Sequence, residues 1–208
     1  LCVENTINRA GGVYYKLDAL KALSKCAKDN YLSYHMDGAR FFNAMIETEG
    51  DAKDYGPLFD SISICLSKGL GCPVGSLLIG DKAFIKQARR VRKLMGGGMR
   101  QAGFLAAAGS YALKNNIKRL KEDHIKAKQI EAMLKAQSYI SNIEEVFTNI
   151  VIFELENDVN QSDFEAHLRN HNLKFAFIGP GRIRFVTHMD ISDNMVEKVQ
   201  KILTSFNP

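Results

Sequence analysis

Two groups able to do covalent or acid–base chemistry stand just past apolar runs. Lys68 lies in CLSKGLGCPVGS (residues 65–76), after the apolar SISIC and before VGSLLIG. Lysine is costly to bury, yet Gly69, Gly71 and Gly75 strip side chains from around this one and let backbone approach a ligand closely. In partly apolar surroundings, the expectation here, its amine sheds a proton more readily and attacks carbonyls. The alternative is an exposed loop lysine. The spacing is not GxxxxGK(S/T), which excludes a nucleotide phosphate loop. Asp37 lies in HMDGAR (residues 35–40), at the expected C-terminal end of a strand. Ligands bind along that edge of an open α/β sheet; Asp-Gly is also a common turn pair. Arg40, three residues on, adds a second charge aimed at the same region.

An aspartate on one strand end and a lysine on a later one is the arrangement a pyridoxal phosphate site needs. The lysine forms the Schiff base, and the aspartate keeps the pyridine nitrogen protonated so that the ring acts as an electron sink. Two further stretches offer anion-binding groups. In GGGMRQAG (residues 96–103), Arg100 follows three glycines near the start of a helix, which suits a phosphate or carboxylate; a flexible connector is the equal alternative. In RIRFVTH (residues 182–188), Arg184 alternates with Ile183 and Phe185, as a surface arginine or a fork for a substrate carboxylate. His35 is expected to face away from Asp37, and His188 is the remaining histidine near these motifs.

The elements that must position these residues alternate. LCVE, YLSYHM, SISIC and VGSLLIG read as strands. LDALKALSKCAKDN reads as an amphipathic helix, with Leu17, Leu20, Leu23 and Ala27 three and four apart, and a short helix is expected over residues 41–47. Strands separated by helices predict an α/β domain with a mostly parallel sheet. From Lys82 the chain turns helical, with KAFIKQARRVRKLM, RQAGFLAAAGSYALKNN and KRLKEDHIKAKQIEAMLKAQ. Beyond Ser138, NIVIFEL, LKFAFI and RIRFVTH read as strands, SDFEAHLRNHN as a helix, and SDNMVEKVQKILTSF as a last helix capped by Ser192. The expected division is residues 1–118 as part of a large cofactor-binding domain and residues 119–208 as a small α+β domain.

Composition narrows the partners. No stretch approaches the roughly 20 apolar residues of a membrane helix. The four cysteines show no CxxC pairing, which argues against zinc and fits reduced thiols in a cytoplasmic protein. Net charge is +5, crowded only at KQARRVRK; without an aromatic platform or finger spacing this reads as a solvated helix face, not a nucleic-acid surface. The apolar opening LCVEN suggests the C-terminal part of a longer polypeptide.

Taken in order, ENTINRAGG, HMDGAR, FDSISICLSKGLGCPVGSLLIG, RKLMGGGMRQAG, AAAGSYAL and RFVTHMD resemble the low-specificity L-threonine aldolases. The resemblance covers essentially the whole chain, more loosely in the last third. It implies the aspartate-aminotransferase-like fold, pyridoxal 5'-phosphate as cofactor, and cleavage of L-threonine or L-allo-threonine to glycine and acetaldehyde. Another pyridoxal-phosphate lyase acting on β-hydroxy amino acids, or an inactive fragment of such an enzyme, is the alternative. By this resemblance Lys68 is the Schiff-base lysine and Asp37 the partner of the pyridine nitrogen. Arg40 and Arg184 bind the substrate carboxylate region, and Ser67 helps hold the cofactor phosphate. Lys93 and Arg100 reach a phosphate in a neighbouring subunit's site, because the family builds its sites at interfaces of homo-oligomers. Asn8 and Arg9 fall in the family's N-RAGG loop and carry no assigned role. The family's further N-terminal segment, with a phosphate anchor and a histidine that stacks on the cofactor ring, is not among these residues; the general base is expected there, with His188 as the alternative within this chain and His35 a poor candidate.

Overall fold

A computed structural model describes residues 1–179 and 181–208. The chain divides into two compact units. Leu1–Thr6 and Tyr14–Leu120 form the first; Ile7–Val13 and Lys121–Pro208 form the second.

In the first unit, strands β1 (Cys2–Glu4), β2 (His35–Gly38), β3 (Ser61–Cys65) and β4 (Ser76–Gly80) make one sheet in sequence order. β1, β2 and β3 run parallel and β4 is antiparallel to β3, so the sheet is mixed and mostly parallel. The parallel pairs need crossovers. Helix α1 (Leu17–Asp29) joins β1 to β2, and α2 (Phe41–Glu47) and the short α3 (Ala52–Tyr55) join β2 to β3. α1 buries Leu20, Ser24 and Ala27, spaced four and three apart; its one polar buried side chain is satisfied, Ser24 Oγ donating to the Leu58 carbonyl at 2.8 Å. Leu20 and Ala27 pack with Val3, Met36, Ile62 and Ile64 of the strands and with Phe41 and Tyr55.

β2 begins later than YLSYHM suggests. Tyr31 sits at φ 55° and is fully exposed, and the Tyr34 N–H is held by the Asp60 carboxylate at 2.7 Å. The ladder therefore opens at His35. After β4 come α4 (Lys82–Leu94), capped by Asp81, and α5 (Gly103–Asn115).

The second unit opens with α6 (Leu120–Lys135), whose first residue closes unit one. Strands β5 (Ile140–Ile143), β6 (Ile150–Leu155), β7 (Ala176–Gly179) and β8 (Arg182–Val186) form an antiparallel sheet in the order β5-β6-β8-β7. Helices α7 (Gln161–Asn170) and α8 (Asp193–Ser205) complete it; Ser192 caps α8 by accepting from the Met195 N–H. One sheet face, carrying Val151, Phe153, Ile183 and Phe185, packs on Ala127, Ile130 and Leu134 of α6, Phe164 and Leu168 of α7, and Val196, Val199 and Leu203 of α8. β6 is buried on both faces from Ile150 to Phe153, because Ile7–Val13 returns to this unit and Gly12 lies over Ile150.

Candidate active site

The parallel register sets the first site group. Asp37 stands opposite Ser63 and Gly38 opposite Ile64, so β2 and β3 end along one sheet edge. Met36 and Gly38 point inward and Asp37 is exposed. Asp37 Oδ1 accepts from the Ala39 N–H at 3.1 Å, an Asx-type turn, and Oδ2 has no hydrogen-bond partner among the described residues. Gly38 is needed here for space: a Cβ would lie 2.8 Å from the Ser63 carbonyl oxygen. His35 shares the face of Asp37, contrary to expectation. The two are two positions apart, and a strand alternates with period two. Its Nδ1 lies 2.8 Å from Ser61 Oγ.

Lys68 follows β3 by three residues, in a loop whose backbone is fixed at many points. The Leu66 N–H donates to Gly75, the Gly71 N–H to Lys68 and the Cys72 N–H to Leu66, at 2.9, 2.9 and 3.0 Å. Leu66, Leu70 and Cys72 are buried against Ala112 of α5 and against Leu120. Asn116 Nδ2 donates to the Leu70 carbonyl at 2.8 Å and Arg119 Nη1 to the Gly69 carbonyl at 3.3 Å. Gly71 takes φ 75° and Gly75 φ 120°, the left-handed region where glycine is unstrained. Asn116 and Arg119 were not legible as site residues; their only sequence signal is a polar cluster at the end of a helix. Lys68 itself is exposed and not in an apolar pocket, because the loop's apolar side chains turn down onto α5 and leave Ser67 and Lys68 outward. Burial pushes the Cys72 thiol up, with Cys65 nearby adding to the shift.

Arg40 precedes α2 and is half-buried. It lines a crevice of about 10 Å³ with Gly38, Phe41, Cys65, Gly69 and Leu70, which brings the end of β2 and the lysine loop together. That volume holds about one water. Ser67 Oγ lies 3.4 Å from Cys65 Sγ. Lys93, in the last turn of α4, and Arg100, in the connector to α5, are exposed and form no ion pair among the described residues.

Arg184 is in the second unit, on β8. It is opposite Ile152 on one side and Ala176 on the other, on the face away from the helices. Its Nη1 donates to Asn8 Oδ1 at 3.1 Å. Arg182, two residues earlier on that face, is paired with Glu144 and lies 3.8 Å from Glu154. His188 Nδ1 is 3.3 Å from Asp190 Oδ2. No cluster of three potential metal ligands occurs among the described residues, and no described helix is long and apolar enough to cross a membrane.

An α/β unit with a carboxylate and an amine at one end of parallel strands, followed by an antiparallel α+β unit, is the architecture of the aminotransferase-like fold. Solved structures of that class superpose on it: a putative L-allo-threonine aldolase from Listeria monocytogenes at TM-score 0.82 and 21% identity, covering 97% of this chain and 60% of that one. A threonine aldolase from Leishmania major gives TM-score 0.79 at 22% identity, covering 98% and 59%. The chain belongs to the beta-eliminating lyase family, whose model matches residues 1–158. It is 39% identical over 199 residues to the low specificity L-threonine aldolase of Escherichia coli K12, and 39% identical over 202 residues to a probable low-specificity L-threonine aldolase of Arabidopsis thaliana. In both cases the match covers 96% of this chain and 57% of the relative, so the chain spans little more than half the length of these proteins.

Proposed function

We propose that this chain supplies the lysine-bearing part of a pyridoxal-phosphate-dependent lyase that cleaves L-threonine or L-allo-threonine to glycine and acetaldehyde. The observation that carries this reading is the placement of Asp37 and the Lys68 loop at the ends of adjacent parallel strands β2 and β3. The donor set fits the cofactor: an amine for its aldehyde, a carboxylate with a free oxygen for its ring nitrogen, and cations for its phosphate. When bound, the group supplies a sink for the electron pair released as the Cα–Cβ bond breaks.

The residues divide the remaining work. Lys68 Nζ is the attachment atom, and the hydrogen-bonded loop beneath it fixes where that atom can reach. Asp37 Oδ2 holds a proton on the ring nitrogen; a carboxylate does this better than an amide because it stays negative when the ring is cationic. Ser67 contributes to the phosphate site. Arg40 and Arg184 orient the substrate through its carboxylate, and a guanidinium suits that planar group. Lys93 and Arg100 serve a phosphate in a neighbouring subunit. A homo-oligomer belongs to the same reading; the first unit exposes apolar side chains on β4, α4 and beyond, among them Leu78, Ile79, Leu94, Met95 and Phe104, which a neighbouring subunit or the rest of a longer chain would cover. A cytoplasmic setting belongs to the same reading, in which the four free cysteines, Cys2 and Cys26 exposed among them, are reduced thiols.

The test is acetaldehyde release from L-threonine and L-allo-threonine by the complete protein, with phenylserine and serine in parallel. Release from both threonine isomers supports the reading. Pyruvate from serine without acetaldehyde from threonine would replace it with β-elimination.

A further inference from the structure

Two arginines, Arg182 and Arg184, project from one face of β8, yet their surroundings differ in kind. Arg182 meets carboxylates: it is paired with Glu144, lies near Glu154, and also donates to the Arg9 carbonyl at 3.4 Å. Its charge is neutralised, and it ties β8 to the residue just after β5, to β6 and to the Ile7–Val13 loop. Among the described residues, Arg184 meets no carboxylate. Its partner is the amide oxygen of Asn8, and its Nε is buried without a hydrogen-bond partner. A guanidinium only donates, so the Asn8 oxygen and not its nitrogen must face it. A neutral acceptor fixes the guanidinium's orientation and leaves the full positive charge available. A buried, unpartnered N–H on a charged group is costly unless something accepts from it.

The loop that carries Asn8 is itself pinned to the second unit. The Ile7 N–H donates to Val13 and the Gly12 N–H to Ile7, closing the loop on itself. Thr148 Oγ1 donates to the Gly12 carbonyl at 3.0 Å, and Gly12 at φ 78° leaves no room for a Cβ, which would lie 2.3 Å from that hydroxyl. A loop closed in this way holds Asn8 beside Arg184, 176 positions away in the sequence.

We infer that Asn8 is a positioning residue: it holds Arg184 oriented but un-neutralised, so that Arg184 can bind the substrate carboxylate. This rests on the reading of Arg184 given above. The test uses the complete, cofactor-loaded protein and compares binding of glycine with that of glycinamide by calorimetry, in wild type and in Asn8→Ala, Asn8→Asp and Arg184→Gln, with melting temperatures and the KM and kcat for threonine. Arg184→Gln should cut the preference for glycine over glycinamide by more than about tenfold, with Arg40 left as the other cation for the carboxylate. Asn8→Ala should reduce that preference by about tenfold, the scale of one hydrogen bond to a charged group, with the loss falling on KM. Asn8→Asp keeps an acceptor, and with it the fold, but adds a competing carboxylate; it should reduce the preference at least as far.

If Arg184→Gln leaves the preference intact, the reading of Arg184 fails and the role of Asn8 falls with it. If Arg184→Gln cuts the preference while both Asn8 variants retain it in full, Arg184 stands and the Asn8 inference is overturned. Equal weakening of glycine and glycinamide by Asn8→Ala, with a lowered melting temperature and a wild-type preference in Asn8→Asp, would also overturn it, as a structural role only.

Discussion

Asp37 stands directly across the parallel β2–β3 ladder from Ser63, and that register decides what the sheet edge can do. It ends both strands together, exposes the Asp37 carboxylate, and delivers the chain into the Lys68 loop at the same edge. Exchanging Asp37 for Asn keeps the Asx turn, because the amide oxygen also accepts from the Ala39 N–H. It removes the negative charge. Asp37→Asn should therefore retain cofactor and lose about 100-fold or more in turnover, the scale of losing one aimed electrostatic contact. Cofactor absorbance together with steady-state kinetics checks this; unchanged turnover contradicts the role.

The Lys68 loop depends on a helix end. Asn116→Ala removes the side chain that donates to the Leu70 carbonyl and leaves a half-buried acceptor unpaired. A loss of about 1–3 kcal/mol is expected, measured by chemical denaturation. Hydrogen exchange should quicken at Gly71 and Cys72, whose N–H groups bond within the loop.

The Ile7–Val13 loop is tight at Gly12. Gly12→Ala places a Cβ against Thr148 Oγ1 and forces a left-handed φ on a side-chain-bearing residue. A destabilisation of about 1–3 kcal/mol is expected. A melting temperature equal to wild type would mean that the loop has room to shift.

Glu131 gives a pH signature. Burial pushes its carboxyl up, but hydrogen bonds from Lys135 and Lys128, at 2.8 and 3.0 Å, outweigh that and hold it below its ordinary value of 4.5. A carboxyl lowered in the folded state stabilises fully above its ordinary value and loses that contribution as pH falls through the lowered one. Glu131→Gln should thus cost up to about 1 kcal/mol at neutral pH, since both lysines are largely exposed. The difference from wild type should shrink as pH drops below 4.5. Denaturant titrations at pH 7 and pH 3 measure both ends.

The sequence made parts of this legible because the physics is local. Leu20 and Ala27 repeat at helical spacing, so α1 could be read directly. Asp37 and Lys68 stood out because polar groups end apolar runs. Other features are set by distant partners. β5 has polar Ser141 and Asn142 at its centre and half-buried isoleucines at its ends, so it shows no alternation; its partner β6 makes it a strand. The membership of Ile7–Val13 in the second unit depends on Thr148 and Arg184, 136 and 176 positions from their loop partners. Nothing near ENTINRAGG announces either one. The exposure of Lys68 was likewise hidden, since which loop side chains turn inward is decided by α5.

The central claim is that Lys68 Nζ carries the cofactor. Borohydride reduction of the complete protein loaded with pyridoxal phosphate, followed by proteolysis and mass spectrometry, locates the attachment atom directly. The account predicts one pyridoxyl adduct, on the peptide containing Lys68, and none in Lys68→Ala. A stable adduct on another lysine, persisting in Lys68→Ala, would contradict it.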